Sequence, residues 1–255
     1  MLAHAPTASA APTGVLYPKL ELCVETLANA QIAARAGAHR IEFCSGLADG
    51  GVTPSLGLLE QVVSSVLVPV HAMIRPRGGD FCCSAGELRA MERDIELARA
   101  AGAAGVVLGI LTTHGDVDVA TTLRLVAMAR PMRVTFHRAF DATRDLDAAL
   151  EDVIAAGADI VLTSGGAKRI MDGIRVVARL VERAGSRIEI MGGSGVCVQN
   201  APALCEATGV AAIHASLRRR LGPEQAPAHV LPDALPAYEL REEDVRALAA
   251  ALRNP

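Results

Sequence analysis

The feature that most constrains the fold of this chain is an eightfold alternation of short apolar runs with longer amphipathic segments. The apolar runs are typical of strands, and the longer segments are typical of helices that end at a glycine. Among these helices, the pattern predicts one over 27–36 with Thr26 as its N-cap, one that Ser84 and Glu87 begin with a capping box and that runs to Ala101, and one over 171–184. Ala-Gly-Ala hinges, with Thr-Gly-Val in the last case, precede four of the predicted strands, at 36–38, 101–103, 156–158 and 208–210. Eight strand–helix units in about 235 residues predict a TIM barrel, which typically takes ~250 residues.

A doubly wound open sheet is the alternative fold for such an alternation, and it requires a glycine-rich turn after the first strand. Residues 24–27, which follow that strand here, contain no glycine, and this favours the barrel. We therefore predict one α/β domain, a TIM (β/α)8 barrel over residues 19–255, behind a disordered extension at residues 1–18. A proline-rich segment at 217–240 precedes the last helix and is compatible with a lid, a protomer contact or an ordinary surface loop.

Charge and composition argue against several classes of partner. A net charge of -3, 2% aromatic residues and no tryptophan argue against a nucleic-acid-binding surface. The N-terminus lacks the pattern of a signal peptide, and no apolar run is long enough to span a membrane, so we expect a cytoplasmic protein without a membrane partner. Six cysteines without disulfide-framework spacing fit reduced thiols there. A homo-oligomer is compatible with the sequence.

Two arginines follow the third predicted strand, in the run Arg75-Pro-Arg77-Gly-Gly-Asp80. Pro76 keeps the preceding residue extended, and the two glycines allow a sharp turn. In a TIM barrel the C-terminal ends of the strands form the active face. Guanidinium groups at that face suit bidentate binding of an anion. The alternative is that both arginines pair with structural carboxylates such as Asp80.

Other polar residues fall at the ends of other predicted strands. His137 and Arg138 end the fifth strand, Glu42 lies in the second, and Gly193 and Gly195 follow the seventh. Glycine-rich loops near the seventh and eighth strands commonly bind phosphate through backbone N–H groups. These residues predict a site for a small anionic, including phosphorylated, molecule. Arg75, Arg77, Arg138, Gly193 and Gly195 would bind the anion, and Glu42 and His137 would transfer protons.

Structural roles for the same residues remain open at this point. Glu21 and Glu42 could neutralise Arg75 and His137, because charges inside a barrel must be satisfied. The glycines could serve tight turns alone. His214, in the eighth strand, has the same inward orientation as His137 but weaker support. No organic cofactor is predicted.

Cys23 and Cys44 lie on the first and second predicted strands, which are neighbours about 4.8 Å apart in a parallel sheet. Two thiolates facing the same interior are soft ligands that suit Cu(I). The alternative is that both are buried small apolar residues, as most free cysteines are.

Several long segments of the chain resemble the CutC family of copper homeostasis proteins. The matching segments are Leu20–Val24, Arg40–Ser45, Gly50–Gly57, Ile74–Phe81, Thr135–Asp141, Leu162–Gly165 and Ile213–Ser216. The resemblance implies a TIM barrel, a cytoplasmic protein and a role in Cu(I) handling, with Cys23 and Cys44 at the positions of the family's proposed copper ligands. Cys83 stands where the family usually has Tyr, and Glu189 where it usually has an apolar residue.

The sequence thus supports two main hypotheses of function. The first is a cytosolic copper homeostasis protein whose partner is a copper ion, held as Cu(I) by Cys23 and Cys44. The second is an isomerase, lyase or hydrolase of a small anionic metabolite, since a copper carrier does not need the arginines, Glu42 and His137 at one mouth. A barrel without turnover is the third and plainest hypothesis.

Overall fold

The computed structural model describes residues 17–221 and 238–253. Eight parallel strands form a closed barrel: β1 (Lys19–Val24), β2 (Arg40–Phe43), β3 (Val70–Met73), β4 (Gly105–Leu108), β5 (Arg133–Phe136), β6 (Ile160–Thr163), β7 (Glu189–Gly192) and β8 (Ala212–Ala215). The helices are α1 (Leu27–Ala36), α2 (Leu56–Ser65), α3 (Ala85–Ala100), α4 (Val119–Ala129), α5 (Leu146–Ala155), α6 (Ile174–Ala184), α7 (Ala201–Thr208) and α8 (Glu242–Arg253). The predicted TIM barrel is confirmed.

Local sequence signals account for the helix ends. Thr26 caps the start of α1 by accepting a hydrogen bond from the N–H of Asn29, and Gly37 ends the helix in a left-handed conformation. Ser84 and Glu87 form the reciprocal capping box expected at the start of α3. These residues therefore determine where α1 begins and ends and where α3 begins.

The predicted start of α6 at Met171 is wrong by three residues. Residues 170–172 form a separate 3-10 turn, and α6 begins only at Ile174. Gly173, between the two, packs so closely on the loop after β6 that an added Cβ would overlap the carbonyl oxygen of Ser164. Tertiary packing at this glycine therefore breaks a continuous helical pattern.

Part of the 217–240 segment is a short hairpin. Strands β9 (Arg219–Arg220) and β10 (Tyr238–Glu239) pair antiparallel beside the start of α8. Residues 222–237 of that segment, and residues 1–16 of the predicted extension, lie outside the described residues. The roles predicted for them stay predictions.

Successive side chains along each strand point alternately to the helical layer and to the barrel interior. On β1, Leu20 and Leu22 are fully buried in the apolar core under the helices, while Glu21 and Cys23 belong to the opposite, interior face. The closure of β8 on β1 pairs Glu21 with His214 in register. The barrel interior therefore receives titratable side chains from strands that are far apart in the sequence.

A network of charges fills the lower part of that interior. Arg40 forms ion pairs with Glu21 and Glu189. Glu189, the residue noted above as standing at a usually apolar position, is also paired with Arg133 at 3.5 Å and Lys19 at 3.6 Å. Removing one member of a buried ion pair typically lowers the free energy of unfolding by about 3–5 kcal/mol. The network therefore accounts for the glutamate in β7.

Among residues 17–221 and 238–253, the structure contains no helix whose length and hydropathy would let it cross a membrane.

Candidate functional site

A cavity of about 660 Å³ opens at the C-terminal end of the barrel. Its walls come from strand ends and from the loops that follow them. The polar and sulfur-containing residues of the wall are Cys23, Glu42, Asp49, Met73, Arg75, His137, Arg138, Asp141, Ser194, His214, Ser216 and Arg218. The position agrees with the face at which TIM barrels carry their sites.

Cys23 and Cys44 are brought together at the floor of the cavity. Their Sγ atoms lie 3.6 Å apart, although the residues are 21 positions apart in the sequence. Cys23 is 3% exposed and lines the cavity, whereas Cys44 is completely buried behind it. Met73 packs in the same buried cluster and adds a thioether to the two thiols. This is a sulfur-rich environment of the kind that soft metal ions prefer.

Both cysteines are free thiols in the structure. The hydrogen bond with Cys44, followed by burial and the charge of Glu42, raises the pKa of Cys23 well above its usual value. The Cys23 thiol is therefore protonated at neutral pH, and a metal ion that binds it displaces a proton.

Glu42 is a buried carboxyl group on the same wall. It is 3% exposed, and its Oε2 atom has no hydrogen-bond partner among the residues that the structure describes. Burial raises the pKa of Glu42, and the neighbouring His214 only partly offsets that effect. One donor atom each from Cys23, Glu42 and His214 lie within 4.8 Å of one another.

His214 is held by a carboxylate beneath it. Its Nδ1 is hydrogen-bonded to Oε1 of Glu21 at 2.7 Å, and the other oxygen of Glu21 pairs with Arg40. Although burial opposes ionisation, the Arg40 charge and the His214 hydrogen bond lower the pKa of Glu21 to about 2. Glu21 therefore neutralises Arg40 and His214, and the alternative in which it pairs with Arg75 and His137 is wrong. The charges of Glu42 and Glu21 raise the pKa of His214 in spite of burial.

Arg75 lines the cavity without a carboxylate partner among the described residues. Its guanidinium group donates to three backbone carbonyls, those of Asp49 at 3.0 Å, Gly51 at 3.1 Å and Gly79 at 2.8 Å. The group also lies 4.9 Å from the ring centroid of Phe81. Burial, and then the charge of Arg77, lower its pKa. Carbonyls orient this cation but leave its formal charge uncompensated.

Arg77 lies on the outside of the same loop. It forms ion pairs with Glu87 at 2.6 Å and Asp80 at 3.1 Å, and it is not part of the cavity wall. The structure therefore separates the two arginines that the sequence grouped together. Arg77 fastens the loop to the start of α3.

His137 lies at the end of β5 and is 5% exposed. Its Nδ1 accepts a hydrogen bond from the N–H of Ala139 at 3.2 Å, which assigns the proton of the neutral ring to Nε2. Burial, followed by the charge of Arg75, lowers the pKa of His137 to about 3. At neutral pH the ring is therefore an uncharged hydrogen-bond donor, and Nε2 has no partner among the described residues.

Arg138 spans the loops after β5, β6 and β7. It donates to Asp141 at 2.8 Å, Ser164 at 2.9 Å and Ser194 at 3.2 Å, while its side chain stays 41% exposed at the cavity. Asp141 also accepts from the hydroxyl of Thr163 at 2.6 Å and from backbone N–H groups of the loop after β6. Asp141 is not among the site residues predicted from the sequence. Its place four residues after His137, in a turn, was the signal that could have indicated it.

The two predicted anion-binding glycines have different roles. The N–H of Gly193 donates to the carbonyl of Thr163, and an added Cβ would lie 2.7 Å from Leu162. Gly193 is thus explained by sheet pairing and packing. Gly195 lines the cavity at a positive φ of 77°, and neither its N–H nor that of Ser194 has an acceptor within the described ranges. Only the second glycine offers a free donor near the site.

Comparisons with known proteins connect this geometry to one family. Residues 18–219 match the profile of the CutC family. A Chromobacterium violaceum protein described as a family protein CutC is 46% identical over 242 residues, or 91% of this chain and 97% of the relative. The human copper homeostasis protein cutC homolog is 46% identical over 199 residues, covering 78% of this chain and 73% of the relative.

Solved structures agree with the sequence comparison. The crystal structure of the copper homeostasis protein CutC from Streptococcus agalactiae is 35% identical, with a TM-score of 0.73 over 77% of this chain and 97% of that one. The N-(5'-phosphoribosyl)anthranilate isomerase of Pyrococcus furiosus is similar with a TM-score of 0.56 over 94% of this chain and 100% of that chain. At 11% identity this second similarity shows the fold alone.

Proposed function

Because this chain belongs to the CutC family, we propose that it is a cytoplasmic copper homeostasis protein that binds Cu(I) through Cys23 and Cys44. The observation that carries the proposal is the 3.6 Å separation of the two Sγ atoms at the floor of an open cavity. Cu(I) prefers thiolate and thioether ligands, and the buried Met73 beside the thiols fits this preference. A reducing compartment would keep both thiols available.

The test is anaerobic Cu(I) titration against a chromophoric chelator. The Cys23→Ser, Cys44→Ser double variant should lose the high-affinity Cu(I) equivalent. The matched control is the Cys197→Ser, Cys205→Ser double variant, which removes two cysteines near α7 outside the cavity and should bind copper normally. Equal binding by the two double variants would refute the assignment of ligands.

A second candidate function is an enzyme that acts on a small anionic metabolite. The observation that favours it is Arg75, a buried cation at the cavity wall with only carbonyl partners among the described residues. Arg138 and the free N–H of Gly195 add donors on the opposite loops. Glu42 and the neutral His137 would be the groups that exchange or donate protons.

Thermal-shift screening with phosphate, sulfate and small phosphorylated or carboxylated metabolites tests this candidate. An anion bound at the site should stabilise the wild type, and the Arg75→Met variant should lose that shift. Arg77→Met is the control, because Arg77 is not part of the cavity wall. The enzyme candidate fails if the two variants respond alike, or if none of these anions stabilises the wild type.

A further inference from the structure

Three different kinds of metal donor meet where the barrel closes. Cys23 comes from β1, Glu42 from β2 and His214 from β8, which are neighbouring strands. One donor atom of each lies within 4.8 Å of the others. A thiol, a carboxylate and an imidazole together suit a borderline divalent ion such as Zn²⁺ better than they suit Cu(I).

Glu42 supplies an independent observation that points to a cation at this position. Its Oε2 atom is buried and has no hydrogen-bond partner among the described residues. The nearby Arg40 is occupied by Glu21 and Glu189, so it does not satisfy this oxygen. A buried carboxyl atom without a partner is costly unless a bound cation or ligand compensates it.

His214 is already oriented as a metal ligand. Because its Nδ1 is bonded to Glu21, the nitrogen left for coordination is Nε2. A histidine that ligates a metal almost always uses its other nitrogen in this way, towards a carboxylate or a carbonyl. Glu21 is held in turn by Arg40, so the support extends one residue further into the barrel.

We propose that Cys23, Glu42 and His214 form a second metal site, specific for a divalent ion of the zinc type, with an open coordination position facing the cavity. In a tetrahedral zinc site with bonds of about 2.0–2.3 Å, the donors lie about 3.3–3.8 Å apart. Donor atoms that lie within 4.8 Å of one another reach that spacing when side-chain rotations move them by about 1 Å. Three protein ligands with a fourth position open to solvent or substrate are the pattern of reactive zinc sites.

The divalent site and the copper pair share Cys23 and differ in every other ligand. Cys44 belongs only to the copper pair, and Glu42 and His214 belong only to the divalent site. The divalent site does not rest on copper binding, and single variants separate the two. Which metal ion binds at this cavity floor then depends on whether the Sγ atom of Cys23 points towards Cys44 or towards Glu42 and His214.

The experiment measures Zn²⁺ affinity by chelator competition, and Co²⁺ binding by its thiolate charge-transfer absorption, on metal-free protein under reducing conditions. The wild type and Cys44→Ser should bind about one equivalent of Co²⁺ with that absorption, and Cys23→Ser should not. Glu42→Gln and His214→Gln should each weaken Zn²⁺ binding at least about tenfold while keeping Cu(I) binding. His214→Gln is a second, independent variant in case Glu42→Gln does not fold.

Two results would overturn the proposal. One is a Zn²⁺ affinity unchanged in both Glu42→Gln and His214→Gln. The other is a loss of Co²⁺ absorption in Cys44→Ser as complete as that in Cys23→Ser, since the cysteine pair alone would then hold the ion. Failure of Cu(I) binding in the wild type would count against the proposed function and leave the Zn²⁺ result intact.

Discussion

At the scale of single residues, two glycines of the fourth strand region make room for the histidines of the barrel. A Cβ added to Gly105 would lie 2.5 Å from the ring of His71, and one added to Gly109 would lie 2.5 Å from Nδ1 of His137. Both rings are buried and cannot move away freely. Gly109 therefore leaves the space that the site residue His137 occupies, and Gly105 leaves the space for His71 in the barrel interior.

We expect Gly109→Ala to destabilise the protein by about 1–3 kcal/mol, the usual range for overpacking a core. The reason is that the added methyl group would also lie 3.0 Å from Ala139, so the His137 ring and its hydrogen bond to Ala139 must shift. Urea denaturation of the variant and the wild type measures the difference in the free energy of unfolding.

Gly57→Ala is the matched control for this substitution. Gly57 lies in α2, and an added Cβ would meet no atom within 4 Å. Alanine is favoured over glycine in a helix by up to about 1 kcal/mol, so this variant should be neutral or more stable. Equal destabilisation of the two variants would show that the packing at His137 is not the cause.

The sequence predicted part of the site at this scale and missed the rest for a physical reason. Strand alternation placed Cys23 and Glu42 on the interior face, and the adjacency of the first two strands brought Cys44 to Cys23. Hydrogen-bond partners are set by long-range contacts that alternation does not encode. The separate environments of Arg75 and Arg77 therefore emerged only from the fold.

At the scale of elements, Asp141 joins loops that three different strands carry. Its carboxylate accepts from the N–H groups of Ser164 at 3.0 Å and Gly166 at 2.9 Å, and from Arg138, which reaches Ser194 after β7. These groups would be left without their acceptor if the carboxylate were removed.

We expect Asp141→Ala to lower the free energy of unfolding by roughly 3 kcal/mol or more, because hydrogen bonds to charged groups contribute about 1.5–3 kcal/mol each and are not fully additive. The exposed pair of Asp116 and Arg144 gives the control. Asp116→Ala should change stability by at most about 1 kcal/mol. Chemical denaturation compares both, and similar small losses would contradict the role assigned to Asp141.

Helix boundaries show how far local signals reach at this scale. Thr26, Ser84 and Glu87 form the predicted caps, because a cap depends on residues within one turn. The start of α6 was wrong because Gly173 contacts the loop after β6, nine residues earlier in the chain at Ser164. Local patterns therefore gave the order of the elements, and packing between elements decided the details.

At the scale of the whole molecule, the barrel buries several titratable groups around one axis, and this couples folding to pH. Burial lowers the pKa of His71 to about 4 and that of His137 to about 3, against 6.5 for an ordinary histidine. At pH values between these lowered pKa values and 6.5, the unfolded chain binds more protons than the folded chain, so the free energy of unfolding rises with pH. Because the pKa of Glu21 is lowered from 4.5 to about 2, this residue contributes no pH dependence of stability above about pH 4.5.

We therefore expect the free energy of unfolding to fall as the pH decreases from about 6.5 towards 4, with His71 alone accounting for on the order of 3 kcal/mol at pH 4. Urea denaturation at several pH values between these limits measures the slope. In His71→Gln the slope should decrease by up to about 1.4 kcal/mol per pH unit, the contribution of one proton. His114→Gln is the control, because His114 is exposed and its replacement should leave the slope unchanged. Parallel curves for the wild type and His71→Gln would mean that His71 is protonated equally in the folded and unfolded chains, which its burial inside the barrel argues against.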